Sequence, residues 1–280
     1  MRKPRKIPEK IFFSVIYLVF FLAGALLALE AFYYFDSSDT SSGEKVESNP
    51  GNGIEQNVVL EEIIMEGTPF QSRIYANWSQ EPGPTVLVIG GIHGDEPSGY
   101  HAAGEIKQWE VERGTLLVMP YANPPAIEEE ERYAEGKRDL NRAFRDVDES
   151  DLTGKAAASI NDFIRRYQPD LILDLHSAPD FRRVDPGSLG QTLIFCGAED
   201  TEEVVYGVKE EVNRRIDKKK HRYLVVDPPS RGTLVRESYR RFGISGIIVE
   251  ASRELSLYEK TSYHMKVVSK ILEILEMKNL

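Results

Sequence analysis

The stretch TVLVIGGIHGDEP, residues 85–97, decides how this chain reads. Residues 85–89 are a continuous apolar run, as expected of a strand buried on both faces. Gly90 and Gly91 follow at once, so the backbone can turn sharply, and Gly94 comes directly after His93. His93 and Glu96 therefore sit three residues apart in a turn that can aim both side chains at one point. With 5 histidines and many acids in the chain, chance alone supplies such a pair fairly often. The glycine collar sets this one apart, because a surface histidine needs none.

Outward from this stretch, strand-like and helix-like segments alternate. An opening strand pair is expected at 58–65 and 73–76, with buried strands at 85–89 and 115–119. Further strands are expected at 171–175, 192–195, 223–226 and 246–249. Helices are expected at 97–112, where Pro97 suits a first turn, and at 154–167, 202–216, 233–241 and 257–277. Residues 121–153 make a long, polar, proline-containing connection, and connections of that length are often functional. No internal repeat is present. The alternation predicts an α/β three-layer sandwich, with helices on both faces of a mostly parallel mixed central sheet. Open α/β sheets place their binding sites just past strand ends, where the candidate residues are expected to fall.

The segment LILDLHS, residues 171–177, adds His176 two residues after Asp174, so both share one face of a strand end. His93, Glu96 and His176 can supply the three protein ligands of a catalytic zinc, leaving a fourth position for water. Asp174 can orient His176 from behind. His101, His221 and His264 lack this setting and read as solvated or structural. In RDLNR, residues 138–142, Arg138 and Arg142 flank Asn141, a set able to grip a carboxylate bidentately and polarise a carbonyl. Read alone, the segment also describes a solvated polar loop. Glu250 closes the apolar run 246–249, a place that suits a general base and equally a strand-end salt bridge.

In order, GGIHGDE (90–96), Asn123-Pro124, RDLNR, DLHS (174–177) and IIVEAS (247–252) resemble the zinc carboxypeptidase superfamily. The closer likeness is to its succinylglutamate desuccinylase/aspartoacylase branch, over roughly residues 86–252. The resemblance implies one zinc ion on His93, Glu96 and His176. It implies Asn141 and Arg142 gripping a substrate carboxylate, and Glu250 as general base and then acid. It also implies an arginine that polarises the scissile carbonyl; Arg132, in the pair Arg132-Tyr133, and Arg138 both fit. For a tyrosine that the peptidase branch places upstream of its catalytic glutamate, Tyr239 is the available counterpart. Aspartoacylase-like enzymes continue into a β-rich domain, whereas about one helix follows Glu250 here.

The expected function is thus zinc-dependent cleavage of an amide next to a free carboxylate, on an N-acyl amino acid. The alternatives are a membrane-anchored metallocarboxypeptidase acting on peptides, cell-wall peptide among them, and a non-catalytic binding module on the same fold. An adhesion ectodomain would leave the polar residues at strand ends unexplained.

Composition bounds the rest. With 280 residues, 41% hydrophobic and 29% charged, the chain can build one domain with appendages, expected over 58–280. Its net charge of -10, without any basic stripe, argues against nucleic-acid binding. Cys196 is the single cysteine, so no intrachain disulfide forms, and within LIFC it reads as buried packing. Residues 11–29 carry no charge, and 11–35 are expected to be one transmembrane anchor. Arg2, Lys3, Arg5, Lys6 and Lys10 in the segment 1–10 place the amino terminus in the cytoplasm and the domain outside. A cleaved signal, releasing a secreted domain, is the alternative, although its apolar core usually spans only about 7–15 residues. Residues 36–57, rich in Ser, Gly, Asp and Glu, read as a flexible linker. Asn77-Trp78-Ser79 spells a glycosylation sequon, a triplet that chance supplies easily.

Overall fold

In the computed structural model, which describes residues 59–226 and 228–278, the apolar runs assemble into an eight-stranded mixed sheet. The strands are β1 (Val59–Ile64), β2 (Ser72–Trp78), β3 (Thr85–Gly90), β4 (Thr115–Met119), β5 (Leu171–Ala178), β6 (Thr192–Cys196), β7 (Leu224–Val226) and β8 (Ser245–Ser252). Their order across the sheet is β1-β2-β4-β3-β5-β8-β6-β7. The centre, β4-β3-β5-β8, is parallel, and antiparallel pairings join β2 to β4 and β6 to β8.

Helices cover both faces. They are α1 (Pro97–Ile106), α2 (Pro124–Glu129), α3 (Leu140–Ala143), α4 (Leu152–Tyr167), α5 (Glu199–Arg214), α6 (Leu234–Phe242) and α7 (Leu257–Ile274). The central strands feed two separate cores because side chains alternate across a pleated sheet. In β5, Leu171, Leu173 and Leu175 face α1, α5 and α7, while Ile172 joins the core under α4 and α6. In β8, Ile247 and Val249 face the first core and Ile248 the second. The long connection 121–153 is partly ordered by α2 and α3. The helix ends follow local chemistry. Asp151 caps α4 by accepting from Gly154 N at 2.8 Å, and Ser256 and Glu259 form a capping box on α7.

Two strands run further than their apolar residues. The β5–β8 ladder continues through His176↔Glu250 to Ala178↔Ser252. His176 and Glu250 therefore lie within strands, not past their ends as the sequence led us to expect. Polar residues end the apolar run, but both backbones still have a hydrogen-bonding neighbour, so the ladder goes on. Asn77 of the sequon is 3% exposed and donates from Nδ2 to the Lys107 carbonyl at 2.8 Å, which leaves no room for a glycan. Cys196 is half-buried at the end of β6. The expected basic segment, anchor and linker lie outside the described residues. Among the described residues, no helix is long and apolar enough to cross a membrane.

Candidate active site

The turn after β3 is pinned by backbone contacts. Gly91 has φ +73°, a left-handed conformation that L side chains rarely adopt. A Cβ on Gly94 would lie 1.8 Å from the Ala126 carbonyl oxygen, so only glycine lets this turn rest on α2. Gly94 N donates to the Glu131 carbonyl at 3.0 Å, and Asn123 Nδ2 donates to the Ile92 carbonyl at 3.1 Å. Glu96 stands at the N-cap of α1 without capping it, because its carboxylate is turned toward the histidines.

Glu96 joins the two histidines. Its Oε1 lies 2.9 Å from His93 Nδ1, and its Oε2 lies 2.8 Å from His176 Nδ1. Ser177 N also donates to Oε2, at 2.9 Å. All three side chains are buried, and one donor atom from each lies within 4.8 Å of the others. The far ring nitrogens meet carboxylates. His93 Nε2 is 3.1 Å from Asp139 Oδ1, and His176 Nε2 is 2.9 Å from Asp174 Oδ2. That second contact lacks hydrogen-bond alignment, and both oxygens of the fully buried Asp174 carry no hydrogen bond.

These observations fit a divalent metal ion. Two imidazoles and a carboxylate are a donor set that zinc takes. Ligation through both Nδ1 atoms would leave both Nε2 atoms protonated. Each would then be a donor facing a carboxylate, His93 toward Asp139 and His176 toward the orphaned Asp174, with Asn141 Nδ2, now 3.3 Å from His176 Nε2, turned off that nitrogen.

The charges of the site are strongly coupled. Burial pulls His93 down, but Glu96 and Asp139 outweigh it and raise its pKa above the ordinary value. His176 behaves likewise, with Asp174 and Glu96 holding it well above that value against the pull of burial. Burial pushes Glu96 up, yet the two histidines hold it well below the usual carboxylate range. Asp139, also pushed up by burial, is held below that range by His93 and Arg132. Glu250 goes the other way. Burial, aided by Glu96 and Asp174, pushes it up to about 8 despite the histidines.

A cleft of about 420 Å³ opens on this cluster and holds Glu250, Arg132, Asn141, Arg142 and Arg253. Arg132 donates to Asp139 Oδ2 from Nε at 3.1 Å and Nη2 at 2.9 Å, and its Nη1 lies 3.5 Å from Glu96 Oε1. Arg253 donates from Nη2 to Asp95 Oδ2 at 2.8 Å. Arg142 differs from both. Its Nη1 donates to the Asn141 carbonyl at 2.7 Å, and among the described residues it has no carboxylate partner. Asn141 is fixed by Asp139 Oδ1, which accepts from its N at 2.8 Å, and by Leu234 N, which donates to its Oδ1 at 2.9 Å.

Of the two arginines left open by the sequence, the structure brings only Arg132 to the cleft. Arg138 points away, with its Nε donating to Asp151 Oδ2 at 2.7 Å beside the N-cap of α4. Tyr239 sits 37% exposed on α6 and does not line the cleft. Sequence reasoning passed over Asp139, although an acid preceding Asn141 by two residues is a cap signal. It also missed Arg253, whose partner Asp95 is 158 residues away. Behind Glu96, Ser177 Oγ and Ser98 Oγ are 2.9 Å apart, and Ser98 Oγ is 3.3 Å from Nε2 of the fully buried His264.

The family model of the succinylglutamate desuccinylase/aspartoacylase catalytic domain matches residues 82–275. The chain belongs to this family. Two curated relatives are amide hydrolases by name. The N-alpha-acetyl-L-2,4-diaminobutyric acid deacetylase of Halomonas elongata is 30% identical over 134 residues, 45% of this chain and 37% of that protein. The N-acyl-aromatic-L-amino acid amidohydrolase (carboxylate-forming) A of Danio rerio is 28% identical over 176 residues, 57% of this chain and 50% of that protein. The desuccinylase/aspartoacylase-family chain described here thus spans half or less of these relatives. Among solved structures, product-bound Csd4 of Helicobacter pylori superposes with a TM-score of 0.68 at 22% identity, covering 74% of this chain and 56% of that one. The succinylglutamate desuccinylase/aspartoacylase of Rhodobacter sphaeroides gives 0.58 at 18% identity, covering 80% and 66%. At these identities the likeness establishes the shared α/β fold.

Proposed function

We propose that this chain is a zinc-dependent amide hydrolase that releases an amino acid from an N-acyl amino acid. The observation that carries the reading is the convergence of His93, Glu96 and His176 in one cleft with a buried Glu250 and with Arg142, which has no carboxylate partner among the described residues. Zinc held by the three ligands would supply Lewis-acid activation of water and carbonyl, and positive charge that favours ionised Glu250. Arg142, without an acidic partner among the described residues, binds the substrate carboxylate and so fixes the amide in place. Arg132, anchored by Asp139 beside Glu96, directs N–H groups at the carbonyl oxygen as charge develops there. Glu250 takes a proton from the attacking water and returns it to the leaving amine. Burial pushes the Glu250 pKa up and zinc's charge would pull it back, and a carboxyl poised between the two suits both halves of that task.

The names of both curated relatives support an amide of an amino acid, while differing over its side chain. The test is metal analysis of the purified chain, combined with assays on N-acetyl amino acids and on short peptides. Stoichiometric zinc and release of free amino acid from the N-acetyl substrates are expected. Cleavage of the peptides instead would assign a carboxypeptidase. Cleavage of neither, with zinc bound, would overturn the hydrolase reading and leave a binding module.

A further inference from the structure

Two of the arginines that line the cleft are held by acids, Arg132 by Asp139 and Arg253 by Asp95. The part of the lining beside Glu250 has a different character. It is formed by Leu189, Ile194, Ile248, Ser230 and Thr233, none of which carries a charge. Ile248 precedes Glu250 by two residues in β8, so both side chains leave the same face of the sheet. Across the antiparallel β6–β8 ladder, Ile194 is the register partner of Ile248. Two β-branched side chains thus stand side by side next to the catalytic carboxylate. Each is 4% exposed, and both are backed by the core that includes Ile172, Leu234 and Val235.

Arg142 adjoins this wall. A Cβ on Gly232 would lie 2.9 Å from the Arg142 carbonyl oxygen, so the segment 230–233 packs directly on the Arg142 main chain. The hydroxyl of Thr233 is already engaged, donating to the Ser230 carbonyl at 2.9 Å and capping α6. A substrate held by its carboxylate at Arg142, with its amide at the metal ligands, has this wall available for its side chain. A charged side chain there would lose hydration against residues that carry no charge, with Arg142 already held by the substrate carboxylate, whereas an apolar one gains from leaving water.

Building on the hydrolase reading, we infer that the amino acid released carries a neutral, apolar side chain that seats against Ile194 and Ile248. Aspartyl, glutamyl and lysyl side chains are disfavoured at this wall. The assignment separates this chain's substrate from the acidic amino acids in its family's name.

The experiment uses the zinc-loaded full chain. It compares kcat/KM for N-acetyl-L-leucine, N-acetyl-L-methionine, N-acetyl-L-aspartate and N-acetyl-L-lysine, and measures calorimetric binding of free L-leucine, L-aspartate and L-lysine. The leucyl and methionyl substrates are expected to exceed the charged ones by about 100-fold, with L-leucine the tightest ligand. Ile248→Asp is expected to shift the preference toward the lysyl substrate at unchanged zinc content. A wild-type preference for aspartyl or lysyl substrates, or tighter binding of either charged amino acid, overturns the side-chain assignment and leaves the hydrolase reading standing. Turnover of none of the four overturns the N-acyl amino acid reading, and the binding series on the wild-type chain then decides the wall by itself.

Discussion

His176 and Glu250 are register partners across the parallel β5–β8 ladder, so an imidazole and a carboxylate leave adjacent strands toward one cleft. Glu250 is 9% exposed, and its Oε2 has no hydrogen-bond partner. Burial, with Glu96 and Asp174 nearby, raises its pKa from 4.5 to about 8 in the metal-free protein. A carboxyl raised in the folded state contributes stability that is full below its unfolded value and is lost as pH rises through about 8. Chelator-treated Glu250→Gln should therefore melt with the wild type at pH 4 and above it at pH 9. The gap should be roughly 2–4 °C for each kcal/mol involved. A gap of the same size at both pH values would contradict this account of Glu250.

Asp139 accepts from the backbone of Asn141 and faces both His93 and Arg132. Asn is as good a cap as Asp, so Asp139→Asn should keep α3 while losing the charge behind His93. Zinc affinity is expected to fall about 10–100-fold with little change in melting temperature, read by competition with a chromophoric chelator. Unchanged affinity would mean that Asp139 only caps.

The three arginines should separate kinetically. Arg142→Ala is expected to raise KM for an N-acetyl amino acid by about 10–100-fold, the worth of a hydrogen bond to a charged group. Arg132→Ala should lower kcat by about 100-fold or more, as for loss of a donor to a developing oxyanion. Arg138→Ala should leave both constants alone, since Arg138 is paired with Asp151 outside the cleft. Steady-state kinetics on the three variants checks all of this at once.

Protons compete with the metal. His93 and His176 are both raised in the metal-free site, His176 well above 6.5, so each must shed a proton to ligate. Zinc affinity should weaken as pH falls from 8 to 6, and binding at pH 7 should release protons into the buffer. Calorimetric titration in buffers of different ionisation enthalpy measures the number released. Zero release would show that the histidines are neutral before binding.

Much of the site was legible in the sequence because its parts are local. The apolar run 85–89 with its glycines gives β3 and the turn, and His93 and Glu96 lie within that turn. The pairing of Asp174 with His176 follows from the period-two geometry of a strand. What could not be read depends on distant partners. Arg132 and Arg138 look alike in sequence, and only the folding of residues 121–153 turns one toward Glu96 and the other toward Asp151. The lengths of β5 and β8 were underestimated because their last residues are polar, while their pairing is set by each other. His264, open in the sequence between solvated and structural, takes the second place. It is fully buried behind Ser98, which no spacing within α7 indicates.

The central claim is that Glu250 works as the general base and acid on substrate held at a zinc site. The most direct measurement compares wild type and Glu250→Gln, each with its zinc content determined, on an N-acetyl amino acid that the wild type cleaves. The account predicts equal zinc in both proteins and a kcat lower in Glu250→Gln by about 100–10,000-fold, the usual contribution of acid–base catalysis. Zinc-replete Glu250→Gln turning over at the wild-type rate would contradict it.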